Sequence, residues 1–570
     1  MKFVRMGVIT AVLAVLAALS AVSLNGRRAD SAGEQVEQRL GLLNEMVTAD
    51  PAGTLDSTWY CAATRVLEAG SSKHEVLISN GSDEPVNVEL RAVPLNTKAK
   101  VQPPQKLEVA ANSVVVFDAS TLSKESSAAV VVEVRSGEVV VSHRLTNGTG
   151  SSQAPCTSRP SGSWDFPYVN TEKDATARLF LFNPYPVAVS VDVTLSTTEY
   201  VRVPAELSGE SVPPGQVKVI NLNERAPRRD RLSVSVRSRS GLLIAEVVQT
   251  FSKDNLEFNL SSGEGGDGKV DKEEIGEQPV KRRGVALVSG SPQATTHAGF
   301  VDGFTQGGVI EQYVVLNPSD QNADVQPIWI TPYGQPRDEI EPLAKVIPPG
   351  RAETISLDQE QRIPPEGFHH GLVIADRGVA SARVLVSVDE RKDSTASGDQ
   401  LRPKPATGIS ISPGMPLAAD RWWSGGITLS GDDEGWLLVD NPSSTDSASI
   451  KLLVHGDGKV EAAEGLDDFK IEAGGQLAID LRSLKLPAAA LVELRSTAPV
   501  QVEQRLVSAA AGLTPGSSAT TGSAVAARIA SAAAAVAVLQ AITSAFAPRR
   551  ASASAISTPR SLRKTSGRSP

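Results

Sequence analysis

Alternation of apolar and polar positions dominates the chain from about residue 57 to residue 508. EVLIS, VNVELRAV, SVVVFDA, AVVVEVRS and EVVVSHRL follow one another before residue 150, with β-branched side chains at every second position. That is the period of a strand with one buried face. The clearest copy is RLFLFNPYPVAVSVDVTL, an apolar strand, an Asn183-Pro184 corner and a second strand, and it is repeated around Asn80, Asn317 and Asn441. Landmarks follow each corner at fixed distances. A turn lies 32 residues on at Asn112 and Gly215, and 33 on at Gly350 and Gly474. A hairpin turn is expected at Gly137, Gly241, Gly378 and Thr497, ahead of VVVSHRL, LLIAEVVQT, VASARVLVSV and VQVEQRLV. Constant spacing within copies marks an internal repeat. Short strands with turn residues between them, and no helical periodicity inside the copies, predict an all-β fold of tandem immunoglobulin-like antiparallel β-sandwich repeats. In the corner, Asn bonds its own backbone and Pro presets φ, which is a structural role.

Corner-to-corner distances are uneven, so the extra length lies between repeats. The repeats are placed at 57–156, 157–260, 284–395 and 409–508. Between them stand an acidic Gly/Glu-rich linker at 261–283, with the composition of a solvated spacer, and a Pro-rich linker at 396–408. The third and fourth repeats open on GVALVSGSP at Gly284 and GISISPGMP at Gly408.

The two ends differ from this body. Lys2 and Arg5 precede an uncharged apolar run at 6–24, closed by Arg27 and Arg28, long enough to span a bilayer. A cleaved signal peptide has the same charged start, but the small-residue cleavage pattern is poor, which favours an uncleaved transmembrane helix. Either way the bulk of the chain is exported. Val36, Leu40, Leu43 and Val47 then predict an amphipathic juxtamembrane helix at 31–48, either a stalk or a partner-binding helix. Residues 509–570 form a low-complexity Ala-rich segment with a basic tail, in which 529–547 has two readings, a second span or a disordered extension.

Composition narrows the function. Net charge is −9, and because the last 23 residues hold six basic residues and no acid, the remainder stands at −15. An acidic body excludes nucleic acid as a partner. Cys61 and Cys156 bracket the first repeat and have no other thiol to choose, so a structural disulfide in an oxidising compartment is expected. Metal-binding thiols would need a nearby His or a CxxC spacing, and the sequence shows neither. His74, His143, His297, His369, His370 and His455 form no HExxH motif and are read as solvated or turn residues, with the adjacent His369 and His370 pointing to opposite faces of a strand. No GxSxG motif is present, and the glycine pattern at Gly263, Gly265 and Gly268 runs into KVDKEE, as a linker does. Asp432, Asp433, Glu434, Asp467 and Asp468 lack a calcium-loop spacing. No catalytic, cofactor-binding or metal-ligating residue is therefore assigned. Aromatics do recur at the repeat entrances: Trp59 and Tyr60, Trp164, Phe300, Trp422 and Trp423. They pack the first strand, or they stack sugars.

With WYCAATRVLEAG, the two bracketing cysteines, SWDFPYVNTEKDATARLFLFNPYPVAVSVDVTL and RSRSGLLIAEVVQTF in view, the region 58–507 resembles a family of actinobacterial envelope proteins of unknown function. The resemblance implies a membrane-anchored, extracytoplasmic protein and carries over no catalytic residue. The expected function is a non-enzymatic envelope scaffold or binding protein, whose partners are the membrane, through the N-terminal helix, and envelope proteins or glycans. The alternative is a carbohydrate-binding accessory subunit of a cell-wall glycan-processing enzyme.

Overall fold

The computed structural model describes residues 48–49, 56–64, 73–95, 102–123, 128–256, 280–305, 309–330, 344–357, 367–387, 408–416, 418–431, 433–508, 516–521 and 523–525. The expected anchor at 6–24, nearly all of the helix at 31–48, most of both linkers and the run at 529–547 lie outside them. Among the described residues no helix is long and apolar enough to cross a membrane.

The fold is all-β, built from many antiparallel sheets. Among the described residues the first repeat holds eight strands: β1 (Asp56–Cys61), β2 (Lys73–Asn80), β3 (Val86–Pro94), β4 (Gln105–Val109), β5 (Ser113–Asp118), β6 (Ala128–Arg135), β7 (Val139–Asn147) and β8 (Gly150–Pro155). One sheet runs β1-β6-β3-β4 and the other β5-β2-β7-β8. Alternation decides which side chains face inward. In β3, Val86, Val88 and Leu90 are buried while Asn87 is exposed. These side chains meet Val76, Ile78, Val139 and Val141 of the other sheet in one core, each buried aliphatic contributing about 1.5–3 kcal/mol.

All four corners use Asn in the same way. The Asn183 side-chain Nδ2 donates to the carbonyls of Val187 (2.7 Å), Val212 (3.0 Å) and Pro213 (3.2 Å), and its Oδ1 accepts from Tyr185 N (3.0 Å). Asn80 reaches Glu84, Val109 and Ala110, Asn317 reaches Gln321 and Ile347, and Asn441 reaches Asp446, Ile471 and Glu472. One side chain thus ties its own loop to the turn about 30 residues on. That turn requires the left-handed region in every copy, with φ of 48° at Asn112, 63° at Gly215, 66° at Gly350 and 67° at Gly474. Glycine and Asn are the residues that adopt it at least cost.

Two expectations change. Gly137 and Gly241 have φ of 92° and 78°, but the strands on either side do not pair as a hairpin. β6 pairs with β1 and β3, and β7 with β2 and β8, so the chain passes there from one sheet to the facing one. At Gly378 and Thr497 it does so without a break, within the single strands Gly367–Ser387 and Ala490–Ser508. A turn residue marks the bend, but the core selects the partner. Second, the strand containing Gly284, Val280–Ser289, pairs with Ile244–Leu256 and completes the second repeat, and Gly408–Pro413 likewise completes the third. Residues 516–521, expected in the low-complexity segment, pair with Ala490–Ser508 and complete the fourth.

These four closing strands, Gly150–Pro155, Val280–Ser289, Gly408–Pro413 and Gly516–Thr521, adjoin one another in cyclic order. The repeats therefore close into a ring, in a propeller-like arrangement with a barrel-like centre. Around it, the first strand of each repeat packs on the second sheet of the next. Ala62 and Ala63 meet Phe180, Phe182, Ile244 and Val248, and Trp423 of the fourth repeat meets Val140 of the first. Closure brings backbones close: Gly426 has φ of 69°, and a Cβ there would stand 2.8 Å from the Leu77 side chain. Thr48–Ala49 pairs in parallel with Ser523–Val525, which in turn pairs with Trp422 and Trp423, so both ends of the described chain meet on the fourth repeat.

Candidate functional site

Every copy carries a polar or charged residue five or six positions past Gly137, Gly241, Gly378 and Thr497, inside an otherwise apolar strand: His143, Glu246, Arg383 and Glu503. Ring closure brings them together in pairs. His143 Nε2 lies 3.5 Å from Glu246 Oε2, and Arg383 Nη2 lies 2.8 Å from Glu503 Oε1. In each pair the carboxylate also accepts main-chain N–H groups from the neighbouring repeat, Ala63 N at 2.6 Å for Glu246, and Val301 N (3.1 Å) and Asp302 N (3.0 Å) for Glu503. The interface between repeats one and two and that between three and four are thus two versions of one design.

The second version is the more charged. Arg383 is fully buried and also reaches Asp302 at 3.2 Å, while Arg505 donates its Nε to the same carboxylate at 3.0 Å. Glu311 is paired with His369 at 3.1 Å. Burial alone would lower the pKa of Arg383, but Glu503, Asp302 and Glu311 outweigh it and raise it. Burial raises Asp302 despite Arg505 and Arg383, and it drives the Tyr313 hydroxyl well above its ordinary range, with Glu311 adding to the effect. One residue on, His370 pairs with Asp440 of the fourth repeat at 2.8 Å.

The fourth repeat meets the first through Arg421, which contacts Glu138 at 2.9 Å and Glu493 at 2.5 Å. His455 bridges Glu493 (3.0 Å) and Asn112 of the first repeat (2.9 Å). Burial pushes Glu493 up, yet hydrogen bonds from His455, Arg495 and Arg421 together hold it well below the usual carboxylate range. The remaining boundary has an apolar centre, where Val314, Ala382, Val384, Val386, Ile409 and Ile411 of the third repeat merge with the core of the second, and at its margin Arg351 donates to the carbonyls of Thr197 (2.7 Å) and Glu199 (3.2 Å).

The residues singled out in the sequence are distributed over this frame. Cys61 and Cys156 form the disulfide. Trp59, Trp164 and Trp422 are buried in the cores of their own repeats, and Trp423 is buried against the first repeat. Tyr60 is half-buried, its ring 5.7 Å from that of Phe182 of the second repeat and tilted 59° to it. The four tryptophans are thus packed inside the fold, while Tyr60 stays partly exposed. Five histidines expected in solvent or turns are buried instead: His74, His143, His369, His370 and His455. His369 and His370 do point to opposite faces, and each meets a carboxylate there. The expected lack of a His near the cysteines also fails, because His143 stands beside both. These groups were missed because no motif joins them in sequence. Their signal was a lone polar residue recurring at one place in an apolar strand.

The relation to other proteins enters at this boundary between the first two repeats. Residues 139–267 match DUF5719, a family of unknown function. The DUF5719 segment starts at β7 and runs through the second repeat, so it holds His143, Cys156 and Glu246 but not Cys61. No curated protein matches the chain.

Proposed function

We propose that the protein is a non-enzymatic extracytoplasmic scaffold or binding protein of a cell envelope, its four repeats immunoglobulin-like β-sandwiches and its anchor the apolar run at 6–24. The observation that carries this reading is where the chemically able side chains go. His143, Arg383, Glu503, His369 and His370 are sealed between or within repeats, where they fix the ring. A ring of repeats held at every boundary presents a rigid outer surface for partners, which suits a platform. The buried disulfide supports an oxidising compartment, and the acidic body supports protein or glycan partners over nucleic acid. Crosslinking of the full chain in its native cells, followed by identification of captured proteins, tests the proposal. Recovery of defined envelope proteins is the expected result. Recovery only of self-contacts would overturn it, and capture of a glycan-processing enzyme would favour the accessory-subunit alternative.

A further inference from the structure

The disulfide sits inside a larger constellation. Cys61 closes β1, Cys156 follows β8, and His143 lies in β7 between them, where Cys156 N donates to Val141 O at 2.9 Å. One donor atom from each of the three residues lies within 4.8 Å of the other two, and all three residues are fully buried. His143 is placed as a ligand is. Its Nδ1 stands 3.3 Å from His74 Nε2, its Nε2 makes no hydrogen bond among the described residues, and Glu246 of the next repeat offers Oε2 at 3.5 Å. Glu246 Oε1 is itself buried without a hydrogen bond. An imidazole buried beside two sulfurs with one nitrogen unsatisfied, and an unsatisfied carboxylate oxygen buried next to that imidazole, call for an explanation.

We propose that Cys61, Cys156 and His143 form a zinc site whenever the cysteines are reduced, so that one place in the fold carries either a disulfide or a metal crosslink. Zinc takes thiolate sulfur at about 2.3 Å and imidazole nitrogen at about 2.0–2.1 Å in tetrahedral geometry. Such a site spaces its donors at roughly 3.3–3.8 Å, inside the span the three residues occupy. The sulfurs must part from their bonded separation, Nε2 turns to the metal, and His74 steadies the ring through Nδ1, as hydrogen-bonding neighbours steady metal-bound histidines. The chemistry balances in two steps. A dithiol reductant gives two electrons and two protons to the cystine, becoming a disulfide itself and leaving two Cys thiols. Zinc then displaces both thiol protons to solvent as two sulfur–zinc bonds form, with neutral His143 completing the protein donors. All three donors belong to the first repeat, so the metal, like the disulfide it replaces, would crosslink that repeat.

The test uses the full chain prepared reduced and, separately, oxidised, with zinc counted per chain and cobalt(II) as the spectroscopic probe. The reduced chain is expected to bind one metal with a thiolate-to-cobalt charge-transfer band and tetrahedral visible bands, and the oxidised chain none. His143→Ala is expected to abolish the tetrahedral spectrum, and His74→Ala, which removes the partner of Nδ1, to weaken binding about 10- to 100-fold. Circular dichroism of the oxidised variants checks that they fold. If the reduced chain does not fold unaided, zinc added during refolding is expected to restore its spectrum. A reduced chain that takes up no cobalt, cobalt bands unchanged by His143→Ala, or a refolding yield indifferent to zinc would each overturn the proposal.

Discussion

Replacing Asn183 by Ala tests whether the corner holds each repeat together. The side chain is fully buried and makes four bonds: to the carbonyls of Val187, Val212 and Pro213 and from Tyr185 N. Val187 is 62% exposed, so its carbonyl and the neighbouring Tyr185 N–H turn to water at small cost. The bond to Val212 is buried, and a buried acceptor left short of its partner costs about 1–3 kcal/mol. Adding about 1 kcal/mol for the remaining bonds gives a loss of about 3 kcal/mol for Asn183→Ala. Asn183→Asp sharpens the test. It preserves shape and still accepts from Tyr185 N, but it sets a carboxylate oxygen against three carbonyl oxygens with no donor between them, and it should cost more than Ala. Urea unfolding followed by tryptophan fluorescence reads both variants, because Trp164 lies in the core of the same repeat. A loss under about 1 kcal/mol for Ala, or an Asp variant as stable as the Ala variant, would refute the account of the corner.

Two further outcomes follow from the boundaries between repeats. Arg383→Met leaves Glu503 and Asp302 buried with less compensation and should destabilise by about 3–5 kcal/mol, while combining it with Glu503→Leu should recover part of the loss; urea midpoints of the three proteins decide. Glu493 has its folded pKa depressed below the ordinary 4.5. The folded state therefore binds fewer protons than the unfolded state below that value. Its stabilising contribution is complete above about pH 4.5 and fades as the pH falls toward the folded pKa. Stability of the native chain should drop over that acid range more steeply than that of Glu493→Gln, and parallel pH profiles of the two would contradict the pairing with His455, Arg495 and Arg421.

Periodicity alone determined that strands alternate from 57 to 508, that they come in four copies, and that Asn80, Asn183, Asn317 and Asn441 are corners. These are local properties: an inward face every second residue, an Asn able to bond its own loop, a glycine or Asn at the one left-handed position. The cysteines could be paired by elimination. What the tertiary structure decided is everything that depends on which surfaces meet. Gly284 and Gly408 lie in strands that close the repeat before them, because the free edge they pair with belongs to that repeat. Trp423 turns inward because closing the ring covers it with the first repeat. His143 reaches Glu246, and Arg383 reaches Glu503, from positions 103 and 120 residues apart, distances over which no sequence period reports a contact. Burial then changes what those residues are. A charge that alternation would leave in water becomes, between two packed repeats, the partner of an opposite charge, because an unpaired one could not be buried there.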